Sequence, residues 1–201
     1  PGNTAYSLWR GYFGFDDLPQ VVNPQSGFIQ NCNSTPFLAS IGADNPDGSY
    51  YPKNLGIELF QTNRALRALE TFGADESITR DEFYKYKFDT KYSEQSVMGV
   101  NLKRFLDEAS SKDSDVTVAL ELLQNWDLDT DSTNTAMHLA YDAIRPHFNP
   151  NEYQYDYAKI MARLEKTVKE TKENFGKLDV KWGDILRLRR GDTDLALSGG
   201  P

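Results

Sequence analysis

A chain of 201 residues with 39% hydrophobic and 12% aromatic content can bury a real core and is globular rather than disordered, as one domain or one with an appendage. Its formal net charge of −8 argues against nucleic acid as a partner, because phosphate binding needs a basic face. No apolar run approaches the ~20 residues of a membrane helix, and a single cysteine, Cys32, excludes an internal disulfide.

In chain order, Leu8, Trp9, Tyr12 and Phe13 form an aromatic-rich extended segment broken by Gly11 and Gly14, as expected of a strand entering a core. Asp16 and Asp17 are adjacent, so in a strand they would point to opposite faces; they read as a loop entry before Leu18-Pro19 and not as a metal site. Asn23-Pro24-Gln25-Ser26-Gly27 is a turn, with proline presetting φ and glycine freeing the exit. It launches a short extended run, Phe28 to Cys32, that reads as a strand. Asn31, Asn33, Ser34 and Thr35 follow, stopped by Pro36. Polar side chains clustered at the end of a buried strand are costly unless a turn or a substrate oxygen uses their donors. Gly42 to Asn54 is a turn-rich loop; Asp44, Asn45 and Asp47 have a calcium-like flavour but no closing glutamate, so no metal is assigned.

From Ile57 the periodicity turns helical. Ile57, Phe60, Leu66 and Leu69 recur at helical offsets, with Arg64 and Arg67 a turn apart. Thr79-Arg80-Asp81-Glu82 is a capping box opening a short helix through Lys85. Ser93 can cap the next helix, with Val97, Val100, Phe105, Leu106 and Ala109 as its buried face. Ser114 or Asp115 opens a third, burying Val116, Ala119, Leu120 and Leu123 and ending at Trp126. Ser132 caps a fourth, Ala136 to Ile144, stopped by Pro146. The longest runs from Tyr153 to Asn174 with Tyr157, Ile160, Met161, Leu164 and Val168 in one stripe, and Gly176 ends it. Val180 to Leu188 fits a strand or a helical turn. Strand and loop over 1–55, helix over 56–176 and a strand or loop tail over 177–201 make the fold class α+β, dominated by helix.

The chemistry-bearing side chains are few. His138 sits inside a helix and His147 in a Pro-flanked loop, with no Gly-x-Ser-x-Gly elbow, so no nucleophilic triad is present. Nothing local would activate the Cys32 thiol. The basic run Arg187-Leu188-Arg189-Arg190 lies beside Asp184, Asp192 and Asp194 and reads as a solvated or ion-paired surface and not an anion site. Asn31 and Asn33 either close a turn through their own amides or present a donor.

The pattern Asn-Pro-x-x-Gly-aromatic-Ile-x-Asn-x-Asn, a dozen residues after Trp9-Arg10-Gly11-Tyr12 and Leu18-Pro19, resembles the penicillin acylase family of N-terminal nucleophile hydrolases, which includes acyl-homoserine-lactone acylases. Arg64, Arg67, Trp126-Asp127 and Trp182-Gly183 follow in that family's order. The resemblance implies cleavage of a linear amide between an acyl group and an amine, with an acylated amine as substrate; no cofactor is assigned. It puts Asn33 in the role of side-chain oxyanion donor, with Arg64, or failing it Arg67, beside it. It also turns the Trp9/Tyr12/Phe13 aromatics into a candidate wall for the acyl group.

The family's nucleophile is an N-terminal Ser, Thr or Cys freed by self-cleavage, whose own α-amine is the base. A chain opening at Pro1-Gly2-Asn3 and closing on Ser198-Gly199-Gly200-Pro201 is then expected to be an internal piece of the nucleophile-bearing chain, inactive by itself. Its partners would be the upstream segment and the small chain of the parent, in the periplasm or outside the cell. The rival reading, from another class, is a non-enzymatic domain binding a polar ligand through the aromatics and the Asn cluster.

Overall fold

The computed structural model describes residues 3–8, 11–146 and 149–200. Its core is made by helices from the second half of the chain: α3 (Val97–Glu108), α4 (Ser114–Gln124), α5 (Met137–Ile144) and α6 (Tyr157–Phe175). Phe105 of α3, Leu123 of α4, Leu139 of α5 and Leu164 of α6 are sealed from solvent in one cluster, joined by Trp126 and Trp182. Two shorter helices precede them, α1 (Asn63–Glu70) and α2 (Arg80–Lys87). After α6 come a single turn, α7 (Trp182–Ile185), and the antiparallel pair β1 (Arg187–Arg190) and β2 (Thr193–Ala196).

Local chemistry explains most boundaries. The capping box opens α2: Glu82 N–H donates to Thr79 Oγ1 at 3.3 Å and Glu82 Oε2 accepts from Thr79 N–H at 2.9 Å. Asp113 caps α4, one residue before the expected start, and all four side chains expected to be buried there are buried. Gly176 ends α6 in the left-handed region, as the sequence implies.

Elsewhere the boundaries move. α1 begins only at Asn63, because residues 57–62 lie along the loop before it and the Phe60 carbonyl accepts from Thr35 N–H at 3.1 Å. Ser96, not Ser93, caps α3, and its buried face is Met98, Gly99, Leu102 and Phe105, with Val100 exposed. Gly99 sets that face, since a Cβ there would lie 2.6 Å from the Ser93 and Glu94 carbonyl oxygens. Asn134 takes the capping role expected of Ser132, its Oδ1 accepting from Ala136 and Met137 N–H. α6 starts at Asp156–Tyr157 and not at Tyr153.

The larger correction concerns the strands. Strand and loop were expected over the first 55 residues, with most of the chain's strands there, yet no strand occurs among the described residues of that stretch; six single 3-10 turns from Ala5–Ser7 to Lys53–Leu55 take their place. The run from Phe28 to Cys32 forms no ladder: a single backbone bond, Gln30 N–H to the Ala39 carbonyl, crosses the loop, and side chains hold the Phe28 and Cys32 carbonyls. Ser40 Oγ donates to the Phe28 carbonyl at 2.7 Å, and Gln30 bonds across the loop to Ala39 and Leu38. The only two strands in the described residues lie in the tail. The tail is docked by Trp182 Nε1, which donates to the Gly199 carbonyl at 2.8 Å, and by Gly199 N–H, which donates to the Thr130 carbonyl.

Candidate active site

The loop carrying the Asn cluster is built from its turn outward. Gly27 N–H closes the turn on the Pro24 carbonyl at 3.0 Å, with Gly27 at φ 66°. Asp44 clamps that turn by accepting from Gln25 and Ser26 N–H at 3.1 and 2.8 Å; these bonds, led by Ser26, hold its carboxyl below the usual range. Asn45 accepts from Ser40 N–H at 2.7 Å and donates to the Ser40 carbonyl. Two of the three calcium-flavoured side chains are thus spent on loop closure. The third, Asp47, caps a 3-10 turn through Ser49 N–H.

Asn33 stands at the tip with φ 55°, a left-handed conformation that asparagine tolerates better than most residues. Asn31 Oδ1 accepts from Asn33 N–H at 3.3 Å, so the first asparagine closes the turn on the second. The leg before Asn33 is tied to α1: Thr62 Oγ1 caps that helix through Ala65 N–H and donates to the Cys32 carbonyl at 2.8 Å. The leg after it is tied by Gln30, whose Nε2 donates to Ser34 Oγ at 3.2 Å and to the Leu38 carbonyl at 2.9 Å.

Arg64, in the first turn of α1, donates from Nη2 to Asn33 Oδ1 at 2.7 Å. The two site residues expected from the sequence therefore meet across 31 positions of chain. The contact also fixes the asparagine's amide. With Oδ1 held by a guanidinium, the oxygen cannot exchange places with the nitrogen without setting two donors face to face, and Nδ2–H stays available on an exposed side chain. Arg67, the second candidate, is otherwise engaged: its guanidinium bonds Asp89 at 2.7 and 3.0 Å and Glu70 at 2.7 Å. The bond to Asp89 raises its already high pKa further.

Arg64 also lines a cavity of about 680 Å³, walled by Leu38, Leu59, Phe60, Leu66, Val97 and Met98 with Ser96 and Gln95 as polar lining. That volume is in the range of small-molecule sites. The α1 end of the cavity is held by Asn63, which accepts from Ser93 N–H at 2.8 Å and donates to the Lys91 carbonyl at 3.1 Å.

Other residues fall away from this place. His138 is 4% exposed inside α5, neither ring nitrogen has a partner, and burial pushes its pKa down to about 4. Trp9, Arg10 and His147 lie outside the described residues. Tyr12 is exposed and Phe13 is half exposed. No group of three or more His, Cys, Asp or Glu among the described residues could hold a metal ion. Two contributors went unnoticed in the sequence, Gln30 and Thr62. The signal for Gln30 was available, as an amide interrupting the apolar start of the run after Gly27.

A family model described as penicillin amidase matches residues 1–196.

Proposed function

The chain belongs to the penicillin amidase family, and on that premise we propose that it is the part of a linear-amide hydrolase that stabilises the tetrahedral intermediate through Asn33. The observation that carries this reading is the bond from Arg64 to Asn33 Oδ1. When a nucleophile adds to the amide carbonyl, its C=O π electrons move onto oxygen, and a neutral donor already pointed at that oxygen lowers the barrier by ~3 kcal/mol. Asn33 Nδ2–H is such a donor, and Arg64 keeps it from turning its oxygen towards the negative charge. The cavity beside Arg64 offers apolar walls to part of an acylated amine, such as an acylated lactone or a β-lactam carrying an acyl chain.

Among the described residues no hydroxyl or thiol is hydrogen-bonded to a histidine, since the ring nitrogens of His138 have no partner. The nucleophile then comes from the rest of a self-processed parent enzyme, which we place in the periplasm or outside the cell as the resemblance implies. Fractionation that left the activity in the cytoplasm would overturn that placement.

The test of Asn33 needs care, because an alanine at φ 55° adds backbone strain to the lost donor. Asn33→Asp avoids that strain: aspartate tolerates the conformation and keeps an oxygen for Arg64 but has no N–H. In the whole processed enzyme Asn33→Ala should lower kcat by ~10²–10³ with a smaller change in KM, and Asn33→Asp should lower it further, because a carboxylate adds repulsion of the oxyanion to the lost donor. Near-normal turnover in Asn33→Asp would refute the assignment.

A further inference from the structure

We infer that Gln30 is a positioning residue for amide hydrolysis, its side-chain amide fixing the loop that presents Asn33; this rests on the reading of Asn33 as the oxyanion donor. Gln30 N–H donates to the Ala39 carbonyl at 2.8 Å and closes the base of a loop running from 30 to 39. Its two Nε2 hydrogens go to Ser34 Oγ and the Leu38 carbonyl, so one amide grips the residue after Asn33 and the returning leg together. Thr62 holds the preceding residue through the Cys32 carbonyl. Asn33 is therefore bracketed, by α1 on one side and by Gln30 on the other. Without the Gln30 amide, Ser34 and the returning leg are held only by the Thr35 N–H bond to the Phe60 carbonyl at 3.1 Å and the Arg64 contact, and the tip shifts.

The acceptor half of the same amide supports this. Gln30 is 8% exposed and its Oε1 has no hydrogen-bond partner. An unpaired buried acceptor costs stability, and a leucine or methionine would fill the space without that cost. Turning the amide over does not relieve it, because the Leu38 carbonyl can only accept. The loop bears an unpaired oxygen at this position and gains two donors directed at its own far side. Gln30 touches no reacting atom in this arrangement and acts through Asn33.

Gln30→Met removes both donors and the unpaired oxygen at nearly constant volume, which limits the change in melting temperature. In the whole processed enzyme it should lower kcat by ~10–100-fold with KM within about twofold, since a misplacement on the order of 1 Å costs about that much. Combined with Asn33→Ala, it should add less than about a twofold further loss, because a residue acting through Asn33 has nothing left to position. A loss that multiplies with that of Asn33→Ala would overturn the inference. So would unchanged kcat in Gln30→Met while Asn33→Ala remains costly, and the Asn33 assignment would then survive alone. A harmless Asn33→Ala would remove that assignment and this inference with it. If Gln30→Met does not fold, Ser34→Ala removes one of the two acceptors; a kcat loss of ~3–10-fold is expected of such a partial misplacement, and unchanged kcat would overturn the inference.

Discussion

Replacing His138 tests the packing of the helical core, and its size follows from burial. The imidazole is 4% exposed with both nitrogens unpartnered, and burial lowers its pKa from 6.5 to about 4. The unfolded chain therefore binds the proton more readily than the folded one. Between about pH 4 and 6.5 the stability due to this group rises with pH; it is fully present above 6.5 and gone below 4. A depression of this size corresponds to about 3 kcal/mol in total, of which about 2 kcal/mol is lost between pH 7 and pH 5. Asp142, one turn further along α5, contributes with the opposite sign, because burial raises its carboxyl pKa and the folded state holds that proton more tightly. Comparison with His138→Leu removes Asp142 and every other carboxylate from the difference. Urea unfolding at pH 5 and pH 7, followed by the fluorescence of the buried Trp126 and Trp182, should show the native chain losing about 2 kcal/mol more than the variant. Equal losses in the two proteins would mean that the imidazole meets water or a partner in the core, and the packing of α5 described above would be wrong.

The two arginines of α1 should separate stability from turnover. Arg67→Ala strands Asp89, while Glu70 keeps its bond from Ser93 Oγ, and should cost about 1–3 kcal/mol in denaturant unfolding. The exposed Arg64→Ala should change stability by less than about 0.5 kcal/mol, yet in the whole enzyme should lower kcat by ~10–100-fold. A stability loss at Arg64 equal to that at Arg67 would contradict the division of labour. The 201-residue chain by itself should hydrolyse no phenylacetyl, short-chain or long-chain amide at high protein concentration. Turnover that vanished when Asn33→Ala and Cys32→Ala were combined would show an active site internal to it.

The helices were legible because their signals are local. Caps such as Thr79 and stripes such as Val116, Ala119, Leu120 and Leu123 act within two turns of the residues that display them. The errors at α3 and α5 arose where several residues could cap. Ser93 and Ser96 both fit the pattern, and the close approach of Gly99 to the Ser93 carbonyl decides between them. That no strand occurs among the described residues of 1–55 was not legible, since alternation and β-branched content do not reveal whether a ladder partner exists. In this loop Ser40, Asn45 and Gln30 satisfy the backbone from 5 to 12 residues away. At the site, Asn33 and Arg64 could be named only through the resemblance. The bond between them spans 31 positions and leaves no periodic trace in the sequence.

Why the tip of the loop carries asparagine and not aspartate follows from the same pair of arginines. Arg67 is neutralised by two carboxylates, whereas Arg64 bonds a neutral amide and forms no ion pair among the described residues. An aspartate at 33 would strengthen the contact to Arg64 and secure the loop. On the proposed reading of Asn33 it would also set a full negative charge beside the place where the oxyanion forms. At roughly 5 Å and an effective dielectric of about 20, two such charges repel by about 3 kcal/mol. That is as large as the stabilisation one well-placed donor supplies, ~3 kcal/mol. A carboxylate would thus cancel the gain even if a second donor replaced the lost N–H. The neutral amide accepts the weaker bond to Arg64 and leaves the positive end of the pair uncompensated, which is the polarity that negative charge on a substrate oxygen requires.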